Sequence, residues 1–256
     1  MPYVEHNGNR TYYSRLDSEN SQEPGAIPII VHHGMAQWGE DWAKAGWLEA
    51  FGGHPVYAVD ALGHGRSDRP NDRSAYSMEN RASTVLKVAD AENIDRFVFF
   101  GFSMGGRVGF ELTASALSRV ERLIVGGMHG LQPAIDRRNL ERRIAVLRSD
   151  KWRMVERAVG ARSGDGRNND QDALALSTEA VLDWDGAEAR LPAISIPVLL
   201  YCGQQDTILE YAKSTARLLP RCTFIELPGA GHAASFYTSD EARRQVKEFL
   251  SHNPPA

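Results

Sequence analysis

The chain has 256 residues, enough for one large domain with a sizeable buried core. Hydrophobic residues make up 42% and charged residues 24%, a balance that excludes a disordered or fibrous chain. The formal net charge of −4, with no long basic run, points away from nucleic acid and from anionic membrane surfaces as partners.

The N-terminus has neither a basic segment nor an apolar core, so no signal peptide is expected. No stretch approaches the ~18 apolar residues of a membrane span. Cytoplasmic residence is the default expectation. Tyr3-Val4-Glu5-His6 and Arg10-Thr11-Tyr12-Tyr13 flank Asn7-Gly8-Asn9, which predicts a hairpin. Residues 17–25 are polar and end in Pro24-Gly25, a loop signal.

Short continuous apolar runs follow at 27–31, 55–59, 96–100, 120–125, 196–201 and 222–227. Such runs predict strands buried on both faces. Between them lie segments of helical length, at 41–51, 77–92, 104–117, 208–218 and 239–251. The alternation predicts an α/β fold, a mostly parallel central sheet flanked by helices on both faces. One block breaks it. Residues 130–190 contain no clear strand and predict helices over 134–149, 151–160 and 171–184, joined by a polar connector. The expected organisation is a core of residues 1–129 and 191–256 carrying a small helical cap, 130–190. The tail, 253–256, is expected to be loose. Cys202 and Cys222 fall in strand-like runs and are expected as buried free thiols. A disulfide between neighbouring strands is the alternative. The pair lacks zinc-ligand spacing.

Gly101-Phe102-Ser103-Met104-Gly105 follows one apolar run and precedes a helical pattern. A strand–turn–helix context of this kind suits a nucleophile elbow. The turn is sharp, so a Cβ at 101 or 105 would obstruct neighbouring chain. The serine then projects near a helix N-terminus, whose partial positive charge favours a developing anion. A second motif, His32-His33-Gly34-Met35, directly follows the first buried run.

With these two motifs the chain resembles the α/β-hydrolase family, whose fold carries serine esterases and lactonases with helical caps. The resemblance implies that the His33-Gly34 pair opens an oxyanion-hole loop. It implies two backbone donors, the N–H groups of Met35 and Met104, and losing one such donor typically costs ~3 kcal/mol of transition-state stabilisation. His33 is expected to hold the loop by hydrogen bonding. Residues 60–67, Asp60-Ala61-Leu62-Gly63-His64-Gly65-Arg66-Ser67, resemble the family's D-x-x-G-x-G-x-S loop, an architectural feature. Asp60 precedes the serine and so falls outside the family order Ser…Asp…His. Gly203-Gln204-Gln205-Asp206 resembles the family's acid loop, which makes Asp206 the expected acid. Pro228-Gly229-Ala230-Gly231-His232 resembles its histidine loop, which makes His232 the expected base. His129 is the alternative base. The resemblance covers nearly the whole chain except the cap.

Met35, Trp38, Met104, Met128, Trp152, Met154 and Phe236 flank these motifs, and an apolar pocket beneath the cap is expected to draw on them. Trp38, Met128, Trp152 and Phe236 are the expected substrate-binding side chains, with Trp38 narrowing the acyl side. Residues 136–157 are rich in arginine, read as a solvated helix face or as an attractor of a substrate carboxylate. The expected activity is hydrolysis of an ester, thioester or lactone of a small apolar molecule through an acyl-enzyme on Ser103. No metal or organic cofactor is required. The expected partner is a small-molecule substrate, and the chain itself a monomer or homodimer. Alternatives on the same fold are a carbon–carbon bond hydrolase, a cofactor-free oxygenase or haloperoxidase, and a receptor retaining the triad. Phe102 stands where carbon–carbon bond hydrolases usually carry Asn.

Overall fold

A computed structural model describes residues 2–16, 25–133, 137–152 and 169–251. All but the last residue of the loop expected at 17–25, most of the helix expected at 151–160, Met154, Arg153, Arg157, most of the polar connector and the tail 253–256 lie outside the described residues.

Eight strands form one sheet in the order β1-β2-β4-β3-β5-β6-β7-β8. They are β1 (Tyr3–His6), β2 (Asn9–Arg15), β3 (Ile29–His32), β4 (Val56–Val59), β5 (Phe97–Phe102), β6 (Val120–Gly126), β7 (Val198–Gly203) and β8 (Cys222–Leu227). β1 pairs with β2, and β2 with β4, antiparallel; every pairing from β4 through β8 is parallel. Asn7 and Gly8, with φ of 50° and 74°, make the tight first hairpin. Two left-handed residues match the twist of the flanking strands. β3 starts two residues later than its apolar run suggests. Pro28 lacks an N–H, so it joins the ladder only through its carbonyl, which accepts from Val98 N at 2.9 Å.

The helices are α1 (Asp41–Lys44), α2 (Met78–Ala91), α3 (Met104–Ala116), α4 (Arg137–Leu147), α5 (Gln171–Val181), α6 (Leu209–Leu218), α7 (Ala234–Tyr237) and α8 (Asp240–Ser251). The helix expected over 41–51 breaks into α1 and a single 3-10 turn, Trp47–Glu49, because Gly46 takes φ 76° between them. No helix among the described residues is long and apolar enough to cross a membrane.

Alternate residues of the buried strands feed two cores. Ile30, Phe97, Phe99, Val125 and Leu200 face one core, shared with α2, α3 and α6. Ile29, Val31, Val98, Phe100 and Tyr201 face the other, shared with Trp42, Trp47, Phe51, Phe236 and α8. A period of two with both phases apolar explains why the strands read as unbroken apolar runs. Burying an aromatic side chain stabilises by about 2–3 kcal/mol, so the Trp42, Trp47, Phe51, Phe100 and Phe236 cluster anchors this layer.

Helices α4 and α5 fall between β6 and β7 and pack on one another. Arg148, just past the end of α4, pairs with Asp172 and Glu179 of α5, both at 3.1 Å. Behind α5, Glu111 of α3 accepts from Arg190 at 2.7 Å and Trp184 Nε1 at 2.9 Å. Burial pushes the Glu111 carboxyl up, but these donors outweigh it and hold it below its ordinary value. Buried Arg81 of α2 bridges the helical block and the core. It donates to Tyr76 O at 2.8 Å and Ser177 Oγ at 2.7 Å, and its guanidinium touches Met104 Sδ. Cys202 and Cys222 are free.

Candidate active site

The site forms where the parallel strands end, as ligand sites do in open α/β sheets. Ser103 follows β5 and opens α3 with φ 53° and ψ −111°, a conformation rarely adopted outside glycine. Three backbone bonds hold it there. Ser103 N donates to Gly126 O at 2.8 Å, while Ser103 O accepts from Gly106 N at 2.9 Å and Arg107 N at 3.4 Å. The turn is closed on both sides by bare backbone. A Cβ on Gly101 would sit 2.0 Å from Gly105 O, and one on Gly105 would sit 2.1 Å from His32 O.

Asp206 follows β7, and His232 lies in the loop after β8. His232 Nε2 is 2.9 Å from Ser103 Oγ, and His232 Nδ1 is 2.6 Å from Asp206 Oδ2. The Asp206 side chain is 3% exposed, and its other oxygen accepts from Ile208 N at 3.2 Å. A carboxylate only accepts, so Nδ1 carries the proton and Nε2 is left to accept from the serine hydroxyl. The structure therefore brings the three expected side chains into one hydrogen-bonded line. His129 stays apart from it, buried with its ring 5.5 Å from Tyr211 and outside the pocket lining.

The loop after β3 lies against this line. Gly105 N donates to His33 O at 3.2 Å, tying the start of α3 to the loop that carries Met35. Met104 is the first residue of α3, where a backbone N–H has no intrahelical partner. His33 Nε2 accepts from Ala61 N at 3.0 Å, so Nδ1 donates to Gly34 O at 2.7 Å. Asp60 accepts from Gly39 N at 2.7 Å and Arg66 N at 2.9 Å, an architectural role remote from the serine line. Gln37 closes the turn. Its Oε1 accepts from Gly34 N at 2.8 Å, and its Nε2 donates to Tyr237 OH at 2.7 Å.

His32, His33 and His64 cluster in the interior beneath this loop, at centroid spacings of 5.3 Å for the stacked His32–His33 pair and 5.0 Å for the tilted His33–His64 pair. Burial lowers all three, His33 to about 4, with the Arg81 cation adding to the effect. The sign follows directly. Their folded values lie below the ~6.5 of an unfolded histidine, so the unfolded chain binds more protons in that interval. Stability is complete above about pH 6.5 and falls as pH drops towards 4. His33 alone contributes on the order of 3 kcal/mol. Urea unfolding at pH 7.5 and 4.5 is expected to show a large drop in midpoint; equal midpoints would contradict the neutral, buried state of these rings.

A cavity of about 410 Å³ opens onto Ser103 and His232, a size suited to a small organic molecule. Met35, Phe102, Val146, Leu147 and Trp152 give it apolar walls, while Gln37, Tyr237, Arg142 and Arg143 add polar groups. Trp152 is thus one of the cavity walls. Three other side chains correct the expectation. Trp38 is 1% exposed and turned from the cavity, and its backbone N–H donates to Asp41 Oδ2 at 3.2 Å. Met128 packs under α3, where a Cβ on Gly106 would meet its own Cβ at 2.8 Å. Phe236 belongs to the aromatic core, 4.7 Å from the Phe102 ring and 4.9 Å from Trp42. Gln37 and Tyr237 escaped the sequence reading. Each adjoins a large apolar residue, Gln37 before Trp38 and Tyr237 after Phe236.

A family profile described as "Alpha/beta hydrolase family" matches residues 29–247. A putative 2-succinyl-6-hydroxy-2,4-cyclohexadiene-1-carboxylate synthase of Bacillus subtilis is 24% identical, over 87% of this chain and 90% of that protein. A putative carbamate hydrolase RutD of Pseudomonas syringae pv. syringae is 28% identical, over 91% of this chain and 97% of its own length. Among solved structures, an enol-lactonase from Burkholderia xenovorans superimposes with a TM-score of 0.80 at 22% identity, covering 98% of this chain and 100% of that one.

Proposed function

The chain belongs to the alpha/beta hydrolase family, and from that premise we propose that it hydrolyses a carboxylic ester, thioester or lactone of a small, largely apolar molecule. The observation that carries this reading is the 2.9 Å contact between Ser103 Oγ and His232 Nε2, with the serine held on its strained turn. A serine hydroxyl is a weak nucleophile until a base takes its proton, and Nε2 is placed to do so. Oγ attacks the substrate carbonyl carbon as its proton passes to His232. Asp206 keeps the imidazole in the needed tautomer and stabilises the imidazolium. The tetrahedral oxyanion is received by the N–H groups of Met35 and Met104. Collapse releases the leaving group, protonated by His232, and leaves an acyl group on Ser103. A water deprotonated by His232 then releases the acid. In this reading residues 130–190 are a cap on a core of 1–129 and 191–256, and the cap's wall selects the acyl group. The Pseudomonas relative is named for carbamate hydrolysis, which is also attack on a carbonyl carbon.

The test is direct. A fluorophosphonate probe is expected to label the wild type and not Ser103→Ala, and short p-nitrophenyl esters are expected to turn over only with the wild type. Neither labelling nor turnover by the wild type would overturn the reading. Oxygen uptake with an aromatic substrate would favour an oxygenase instead.

A further inference from the structure

Among the described residues, the cavity at Ser103 is lined by two cations and by no aspartate or glutamate. Both cations, Arg142 and Arg143, come from α4. The chain as a whole is acidic, with a net charge of −4, so a positively charged cavity lining runs against its average. Two arginines near them in the chain, Arg137 in the first turn of α4 and Arg148 just past its end, are engaged elsewhere. Arg137 pairs with Glu141, and Arg148 with Asp172 and Glu179. Arg142 has no carboxylate partner among the described residues.

The pattern on the helix orders the cavity wall. Residues four apart share a helical face. Arg142 is thus followed on its face by Val146, and Arg143 by Leu147, and all four line the cavity. Trp152 extends the apolar part. The wall therefore runs from guanidinium to hydrocarbon along a single helix. Guanidinium groups bind carboxylates through paired N–H donors, and low-dielectric walls focus their field on the cavity.

We infer that the substrate of this site carries an anionic group, a carboxylate above all, which Arg142 and Arg143 bind while an apolar stretch beside it lies against Val146, Leu147 and Trp152. This selectivity rests on the acyl-hydrolase reading only in placing the reacting carbonyl at Ser103. The binding step can be measured without turnover. Ser103→Ala protein is titrated by calorimetry with monomethyl adipate and with methyl hexanoate, which differ only by carboxylate against methyl at the far end. The adipate ester is expected to bind about tenfold more tightly, the usual scale of one charge-assisted contact. In Ser103→Ala with Arg142→Gln and Arg143→Gln the ratio is expected to fall to about one, and Arg142→Lys alone is expected to keep most of it. Salt is expected to weaken only the adipate ester. Equal affinities in the Ser103→Ala protein, or a preference that survives both glutamine substitutions, would overturn the inference. Failure of the parent reading looks different: the wild type then binds the adipate ester selectively and turns over neither ester.

Discussion

His232→Ala is expected to lower ester turnover by about 10⁴- to 10⁶-fold, while the protein stays folded. The size follows from the hydrogen-bonded line. Without the imidazole, Ser103 Oγ has no acceptor for its proton, and the leaving group has no donor. The fold is spared because the histidine belongs to a surface loop and its side chain is 42% exposed. Its removal leaves no buried cavity, and Asp206 keeps the bond from Ile208 N. Asp206→Asn gives a complementary outcome. The new amide can donate to Nδ1, which moves the ring proton to Nε2 and blocks acceptance from serine, a loss of about 10⁴-fold. The check is kcat/KM on p-nitrophenyl butyrate with thermal melts of each variant. Activity of His232→Ala within tenfold of the wild type would rule out this base.

Gly105→Ala is expected to destabilise the protein by at least about 3 kcal/mol, and Gly101→Ala by a similar amount. In each case the added methyl meets backbone and not a side chain that could rotate away. At 105 it would lie 2.1 Å from His32 O and 2.7 Å from His32 C, at the end of central strand β3. At 101 it would lie 2.0 Å from Gly105 O. Relief requires the elbow and the sheet to separate, and the Gly105 N to His33 O bond opposes that. Domains are stable by only about 5–15 kcal/mol, so much of each variant is expected to be insoluble. Gly231→Ala is the control, since its methyl meets nothing within 4 Å. Urea melts of the three variants make the comparison, and equal midpoints would refute the steric account.

The sheet was legible because strands buried on both faces show as unbroken apolar runs. Ser103, Asp206 and His232 were legible because each follows such a run, at the carboxyl ends of the strands where ligands gather. The cavity wall was not legible, and the misses are instructive. Successive residues of a helix point about 100° apart. Phe236 therefore enters the aromatic core while its neighbour Tyr237 faces the cavity. In the turn after β3, Trp38 goes inward and Gln37 outward to the cavity. An apolar side chain beside a motif belongs as readily to the layer beneath the site as to the site itself. Only the backbone direction at that residue decides between them. The arginines of α4 were ambiguous for the same reason, because helical spacing groups them on faces without saying what each face meets.

Ser103 holds a left-handed backbone despite its Cβ. Its φ of 53° and ψ of −111° would be easier for glycine. Strain of this kind costs on the order of 1–3 kcal/mol for a residue with a Cβ. Ser103 is thus a place where the chain is less stable than it needs to be. A lineage selected for heat resistance alone would replace this serine with glycine and gain by it. On the acyl-hydrolase reading, stability and activity pull this one position in opposite directions.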